Sequence, residues 1–283
     1  MEHRRGVWLG LLALAVSGLL LTACSNTADT PAAAGQGGAS SDLLGHVHGV
    51  GVDPADGTVY VATHHGLFRL SSAGRLDPVG STRRDLMGFT IAGPRTFLSS
   101  GHPAPGERTP NPLGLVESRD AGNSWTTLSL SGQSDFHALD AAGSTVYGYD
   151  GSLKVSTDGG RNWQTRAGLA AIDIAANPRS PDMVVATTER GVAASVDGGR
   201  TFGPPRGPVL VFVAWSPQGT IYGLAPDGAV HTSTDGTTWT KAGTVPGGRP
   251  QALGATGDGR VLAATAGGIV ESRDGGRTFT KLA

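Results

Sequence analysis

Three observations predict an all-β fold built from repeated antiparallel units. A short motif returns five times along the chain. It appears as SRDAGNSW at Ser118–Trp125, STDGGRNW at Ser156–Trp163, SVDGGRTF at Ser195–Phe202, STDGTTW at Ser233–Trp239 and SRDGGRTF at Ser272–Phe279. Its aspartates, Asp120, Asp158, Asp197, Asp235 and Asp274, are 38, 39, 38 and 39 residues apart, and the fourth copy is one residue short. The third observation is composition: 45 glycines and 17 prolines among 283 residues suit a β chain with many turns. A fixed period near forty residues with turn-rich punctuation marks a propeller or solenoid.

Each element of the repeat has a physical reason. Ser and Asp side chains hydrogen-bond the amides of a tight turn, glycine supplies a positive φ, and the aromatic opens the next strand and buries its ring. A short strand precedes each motif, such as Ser152–Ser156 or Gly191–Ser195, and two more β runs lie upstream, such as Thr220–Leu224 or Arg260–Thr265. Four strands per unit make the antiparallel blade of a β-propeller. Six blades are expected, over residues 46–82, 83–131, 132–168, 169–207, 208–246 and 247–283. The first carries only a degenerate motif, Ser71-Ser72-Ala73-Gly74. A seventh blade needs a strand the repeat does not supply.

The N-terminus reads differently. Arg4 and Arg5 precede an apolar run, Val7–Leu21, that is shorter than the ~20 residues of a comfortable membrane span. It ends in Leu21-Thr22-Ala23-Cys24, which resembles a bacterial lipobox, whose cysteine is lipidated and becomes the mature N-terminus. Cys24 is the only cysteine, so no internal disulfide forms. Residues 1–24 therefore read as a lipoprotein signal peptide, 25–44 as a small, polar tether and 45–283 as the propeller. The expected location is outside the cytoplasm, lipid-anchored to the cell membrane. A formal charge of -1 argues against nucleic acid as a partner.

The repeated motif matches the Asp-box, or BNR, repeat of sialidase-like propellers. The wider chain, with HVHG, THHG, DLMGF and DFHAL, resembles a group of bacterial secreted Asp-box proteins often labelled glycosyl hydrolases. The resemblance covers nearly all of residues 45–283 and implies the fold; the box itself is not catalytic in that family, and function lives in the site rather than the repeat.

Histidine placement carries the functional reading. In each blade, with strands A to D from inside out, the start of A and the B–C turn share one face, and the motif turns take the other. His46 and His48 open strand A of blade 1, His64 and His65 occupy its B–C turn, His102 the B–C turn of blade 2, and His137 opens strand A of blade 3. Met87 opens strand A between them. Of eight histidines only His3 and His231 fall elsewhere. Imidazoles with a thioether and no cysteine suit copper or zinc, so this face is the expected ligand pocket and candidate metal site. Above it runs Ser99–Pro112, the longest insertion, stiffened by four prolines.

Two other functions stay open. A sialidase-like glycoside hydrolase needs arginines, a tyrosine–glutamate pair and an acid. Candidates are Arg84, Arg190, Arg249, Tyr149, Asp150 and Glu189, with Asp85 and Asp135 as further carboxylates. The Arg-Ile-Pro motif of that family is absent from blade 1, where His46-Val47-His48 stands near its place. A related propeller type assembles photosynthetic complexes, which implies a scaffold role with protein partners. A glycan or a protein is thus the alternative ligand. Replacing Cys24 by Ala is expected to release the protein from membranes or block its processing; unchanged partition in cell fractionation would refute the anchor.

Overall fold

Residues 45–166 and 168–283 are described by a computed structural model. The signal peptide, lipobox and tether expected at residues 1–44 lie outside them. Among the described residues every regular element is a strand.

Blade 1 holds β1 (Val47–Val52), β2 (Val59–Thr63), β3 (Gly66–Leu70) and β4 (Leu76–Pro78). Blade 2 holds β5 (Asp85–Gly93), β6 (Thr96–His102), β7 (Leu115–Ser118) and β8 (Thr126–Ser129). Blade 3 holds β9 (Ala138–Ala142), β10 (Thr145–Tyr149), β11 (Leu153–Ser156) and β12 (Gln164–Thr165). Blade 4 holds β13 (Ile174–Ala176), β14 (Val184–Thr188) and β15 (Gly191–Ser195), and its fourth strand shrinks to a bridge between Val192 and Arg206. Blade 5 holds β16 (Phe212–Trp215), β17 (Ile221–Leu224), β18 (Ala229–Ser233) and β19 (Thr240–Thr244). Blade 6 holds β20 (Pro250–Ala255), β21 (Val261–Thr265), β22 (Gly268–Ser272) and β23 (Thr280–Lys281). Each sheet is antiparallel in chain order, and the innermost strands β1, β5, β9, β13, β16 and β20 touch in sequence, with β20 returning to β1. This is a six-bladed β-propeller.

The recurrent turns do the work their residues imply. In blade 3 the Ser156 hydroxyl donates to Asp158 Oδ1 (2.7 Å) and accepts the Gly160 N–H (2.8 Å), and Asp158 Oδ1 accepts the Asn162 N–H (2.9 Å). Such bonds favour the carboxylate, and Asp197 in the next turn is lowered to about 2, first by its bond to the Thr201 hydroxyl. Gly160 has φ +88, and a Cβ there would come within 2.2 Å of Leu115 in blade 2, so the turn also fits each blade against the one before.

Blades are stitched by side chains on the inner strands or at their ends. Asp53 Oδ1 accepts the Arg95 N–H (3.0 Å), joining blades 1 and 2. Asp140 accepts the Thr90 hydroxyl (3.2 Å) from blade 2 and the Ala176 N–H (2.8 Å) from blade 4. Asp173 accepts the Val213 N–H (2.9 Å) of blade 5, and Gln251 Oε1 accepts the Val47 N–H (3.1 Å), closing blade 6 onto blade 1. An apolar cluster of Val47, Val50, Val61 and Phe68 with Ala252, Leu262 and Ile269 seals that last junction, which shares no strand. Each buried large aliphatic there contributes roughly 1.5–3 kcal/mol.

Burial pushes Asp140 up to about 6 and Asp173 up to about 7, against the bonds they accept. A carboxyl raised on folding stabilises most below its unfolded value near 4 and loses that contribution as pH rises through its folded value. Asp173→Ala strands the Val213 N–H and is expected to lower the unfolding free energy by about 1–3 kcal/mol in urea titrations. The same titrations should show a flatter decline of stability between about pH 4 and 7 than in the parent.

Candidate functional site

Antiparallel strands send the motif turns and the histidines to opposite ends. The turn glycine Gly159 bonds the β9–β10 turn at Ser144, and Gly198 bonds Asp182 in the β13–β14 turn, so motif turns lie with the A–B turns. At the other end, the His64 N–H donates to the His46 carbonyl, and Asp85 pairs with His102 in the ladder. Between the ends runs a channel of about 660 Å³, whose lining includes His48 and His137 at one mouth and Asp53 and Asp258 at the other. A cleft of about 600 Å³ beside the histidine mouth is lined by Pro112, Gln133, Asp135, His137, Tyr149 and Asp150, among others.

Three imidazoles meet at the blade 1 rim. His46, His48 and His64 each offer a ring nitrogen, all within 4.8 Å of one another. His48 Nε2 lies 3.2 Å from His64 Nδ1. Asp85, the first residue of β5, joins them: Oδ2 is 3.0 Å from His64 Nδ1 and Oδ1 is 3.4 Å from His48 Nε2. Asp85 Oδ1 is buried and has no hydrogen-bond partner. Burial, then the neighbouring His64, lowers His48 to about 4, and burial followed by His64 and the Arg249 charge also lowers His46. Both shifts favour the neutral ring at pH 7, the form in which imidazole carries a lone pair.

A second group forms at the rim of blades 2 and 3. Asp135 Oδ2 lies 3.0 Å from His137 Nε2 and 3.3 Å from His102 Nε2. Asp135 lowers its own proton affinity and raises that of His137 through their bond. His102 Nδ1 sits 2.7 Å from Asn111 Oδ1, so the insertion foreseen over this face orients the ring. The insertion is itself held by Glu107, which takes both Arg84 Nε contacts (3.0 and 3.1 Å) and a third from Arg84 Nη2.

The remaining sequence candidates separate. His65 is exposed beside Gly45, with its N–H on Thr63 Oγ1. Met87 is half-buried at the bulge of β5 between Leu86 and Phe89. Tyr149 and Asp150 line the cleft, but Asp150 is paired with Lys154. Arg84 is consumed by Glu107, while Glu189, Arg190 and Arg249 are exposed and line neither cavity. His231 pairs with Gly223 and Lys241 in blade 5, away from the cluster.

The sequence reading named Asp85 and Asp135 only as glycosidase carboxylates and missed Asn111 and Glu107. A signal for the first two existed. His46-Val47-His48, Asp85-Leu86-Met87 and Asp135-Phe136-His137 are equivalent stretches of successive blades, each centred on a buried apolar residue. That alignment puts both aspartates on the rim beside the histidines, and Met87 at the position of His48 and His137.

No family model matches the chain, and no curated protein matches it. Solved structures with a similar fold include a GH74 enzyme of Niastella koreensis, at 19% identity and TM-score 0.58, covering 84% of this chain and 45% of that one. The GH74 xyloglucanase from Xanthomonas campestris is similar at 17% identity and TM-score 0.54, with the same 84% and 45% coverage. The extracellular domain of a hybrid two-component system from B. thetaiotaomicron is similar at 12% identity and TM-score 0.57, covering 86% and 33%. The chain thus spans less than half the length of each, and the likeness is one of fold.

The two histidine environments are expected to titrate apart in the metal-free protein. By imidazole NMR, the His137 midpoint should lie above the ordinary 6.5 and fall on Asp135→Asn, whereas His48 should stay neutral down to about 4.

Proposed function

We propose that the chain is an extracytoplasmic β-propeller, held to the membrane by a lipid on Cys24, that binds zinc or copper through His46, His48 and His64. The observation carrying this is the convergence of three ring nitrogens within 4.8 Å. Imidazole suits both metals, and the neutral state of His46 and His48 removes competition from protons at pH 7. A polar tether would present this face clear of the membrane surface.

The GH74 likeness supports the fold and carries no catalytic residue across at 19% identity or less. The tyrosine–acid chemistry of a sialidase finds little support either, since Asp150 is tied to Lys154.

Isothermal titration of the full chain in detergent with Zn²⁺ and with Cu²⁺ tests the reading. His48→Ala is expected to weaken binding of the ion by roughly tenfold or more, and His231→Ala to leave it unchanged. Binding should weaken as pH falls from 6.5 toward about 4, because both His46 and His48 protonate below the ordinary imidazole value. Equal affinity in the parent and in a His46→Ala/His48→Ala double variant would overturn the proposal.

A further inference from the structure

The channel between the two faces carries a charge imbalance of its own. Asp53, Asp140 and Asp173 all line it. Among the described residues none of the three is ion-paired. The arginine in the lining, Arg260, is already paired with Asp258 and Glu271. Asp53 is fully buried, and its Oδ2 has no hydrogen-bond partner. Asp140 and Asp173 accept peptide N–H groups, which leaves open part of the roughly four acceptor positions of each carboxylate. A carboxylate held out of bulk water without a counter-charge is costly, and desolvation accordingly raises the proton affinity of both Asp140 and Asp173. A cation in the channel offsets that cost.

Position and wall decide which kind of cation fits. Inner strands start at the histidine end, so Asp173, just before β13, lies nearest that mouth. Asp140 is the third residue of β9, in mid-channel, and Asp53 follows β1 at the motif-turn mouth. The three come from different blades and are strung along the bore. Among the described residues the one group of three donors that converges is His46, His48 and His64, so a bare metal ion finds no shell of ligands around these aspartates. The wall between them is apolar: Phe89, Ile91, Phe212 and Leu253 are half-buried and line the channel. Spread over the roughly 20 Å of a six-residue inner strand, 660 Å³ leaves a bore of about 33 Å², room for one extended chain.

We infer that the channel binds a linear aliphatic polyamine, its ammonium groups donating to Asp173 and Asp140 along the bore with Asp53 at the far end, and its methylene chains lying on Phe89, Ile91, Phe212 and Leu253. Ammonium groups set apart by methylenes match carboxylates set apart by apolar wall. The faces of Phe89 and Phe212 add cation–π attraction. A monoamine meets one carboxylate only, and a diol brings no charge. This site is separate from the histidine rim and does not depend on a metal there.

The test is isothermal titration of the full chain in detergent, after dialysis against EDTA and then against metal-free buffer. The probes are spermidine, butylamine and 1,8-octanediol. Asp140→Asn keeps an acceptor for the Ala176 N–H but removes the charge. Ala214 is half-buried beside Phe212 in the wall, so Ala214→Phe narrows the bore without touching a carboxylate. Asp77→Asn, on the outermost strand of blade 1, is the control. One spermidine per chain is expected, bound at least tenfold more tightly than butylamine, with no heat from the diol. Asp140→Asn and Ala214→Phe should each weaken spermidine by roughly tenfold or more, and Asp77→Asn should leave it unchanged. Circular dichroism establishes that each variant is folded, and Ala214→Leu replaces one that is not. Spermidine bound no more tightly than butylamine, not bound at all, or bound equally by the parent and the channel variants overturns the inference and leaves the zinc or copper reading untouched.

Discussion

Register between neighbouring blades is the constraint on which the rest of this molecule depends. A blade fixes its own strands by backbone ladders, but nothing in a ladder sets how one blade meets the next. Here that register is set by inner-strand side chains that accept a neighbour's peptide N–H, as Asp140 does for Ala176 and Gln251 for Val47. These bonds are directional, and a neighbouring blade shifted by one residue would strand a donor in a buried place. The turn glycines act from the outside to the same end: Gly122 and Gly160 let the motif turns press on Leu67 and Leu115 of the preceding blades.

The rim chemistry is a consequence of that register. Asp85 belongs to blade 2, yet its partners His48 and His64 belong to blade 1. His102 of blade 2 meets Asp135 of blade 3 in the same way. Carboxylates and imidazoles from different blades come within 3.0–3.4 Å because the blades are locked. A rigid frame of this kind fixes the relative positions of these groups in advance, which lowers the entropy lost by any ligand that binds them.

Burial then divides the histidines by role. His48 sits deepest, and desolvation favours its neutral form. His137 is more exposed, and its bond to Asp135 favours the protonated ring. The same residue type thus titrates in opposite directions within one face: burial decides the sign at His48, and at His137 the carboxylate two residues before it decides. The insertion from blade 2 adds a further layer, since the Arg84–Glu107 pair anchors the segment that carries Asn111 to His102.

The amino-acid sequence by itself determined the blades. The interval of 38 or 39 residues between motif aspartates, and the alternation of apolar runs with glycine turns, leave few other ways to pack the chain. It also determined that His46, His48, His64, His65, His102 and His137 share one end, because antiparallel strands fix which turns lie together. Tertiary structure alone decided which of them meet. His65 follows His64 directly but takes no part in the cluster, whereas Asp85, 21 residues beyond His64, lies in contact with it. The physical reason is that strand period and turn type act within a blade. Contact across a junction depends on inter-blade register and side-chain direction, and no local pattern encodes either.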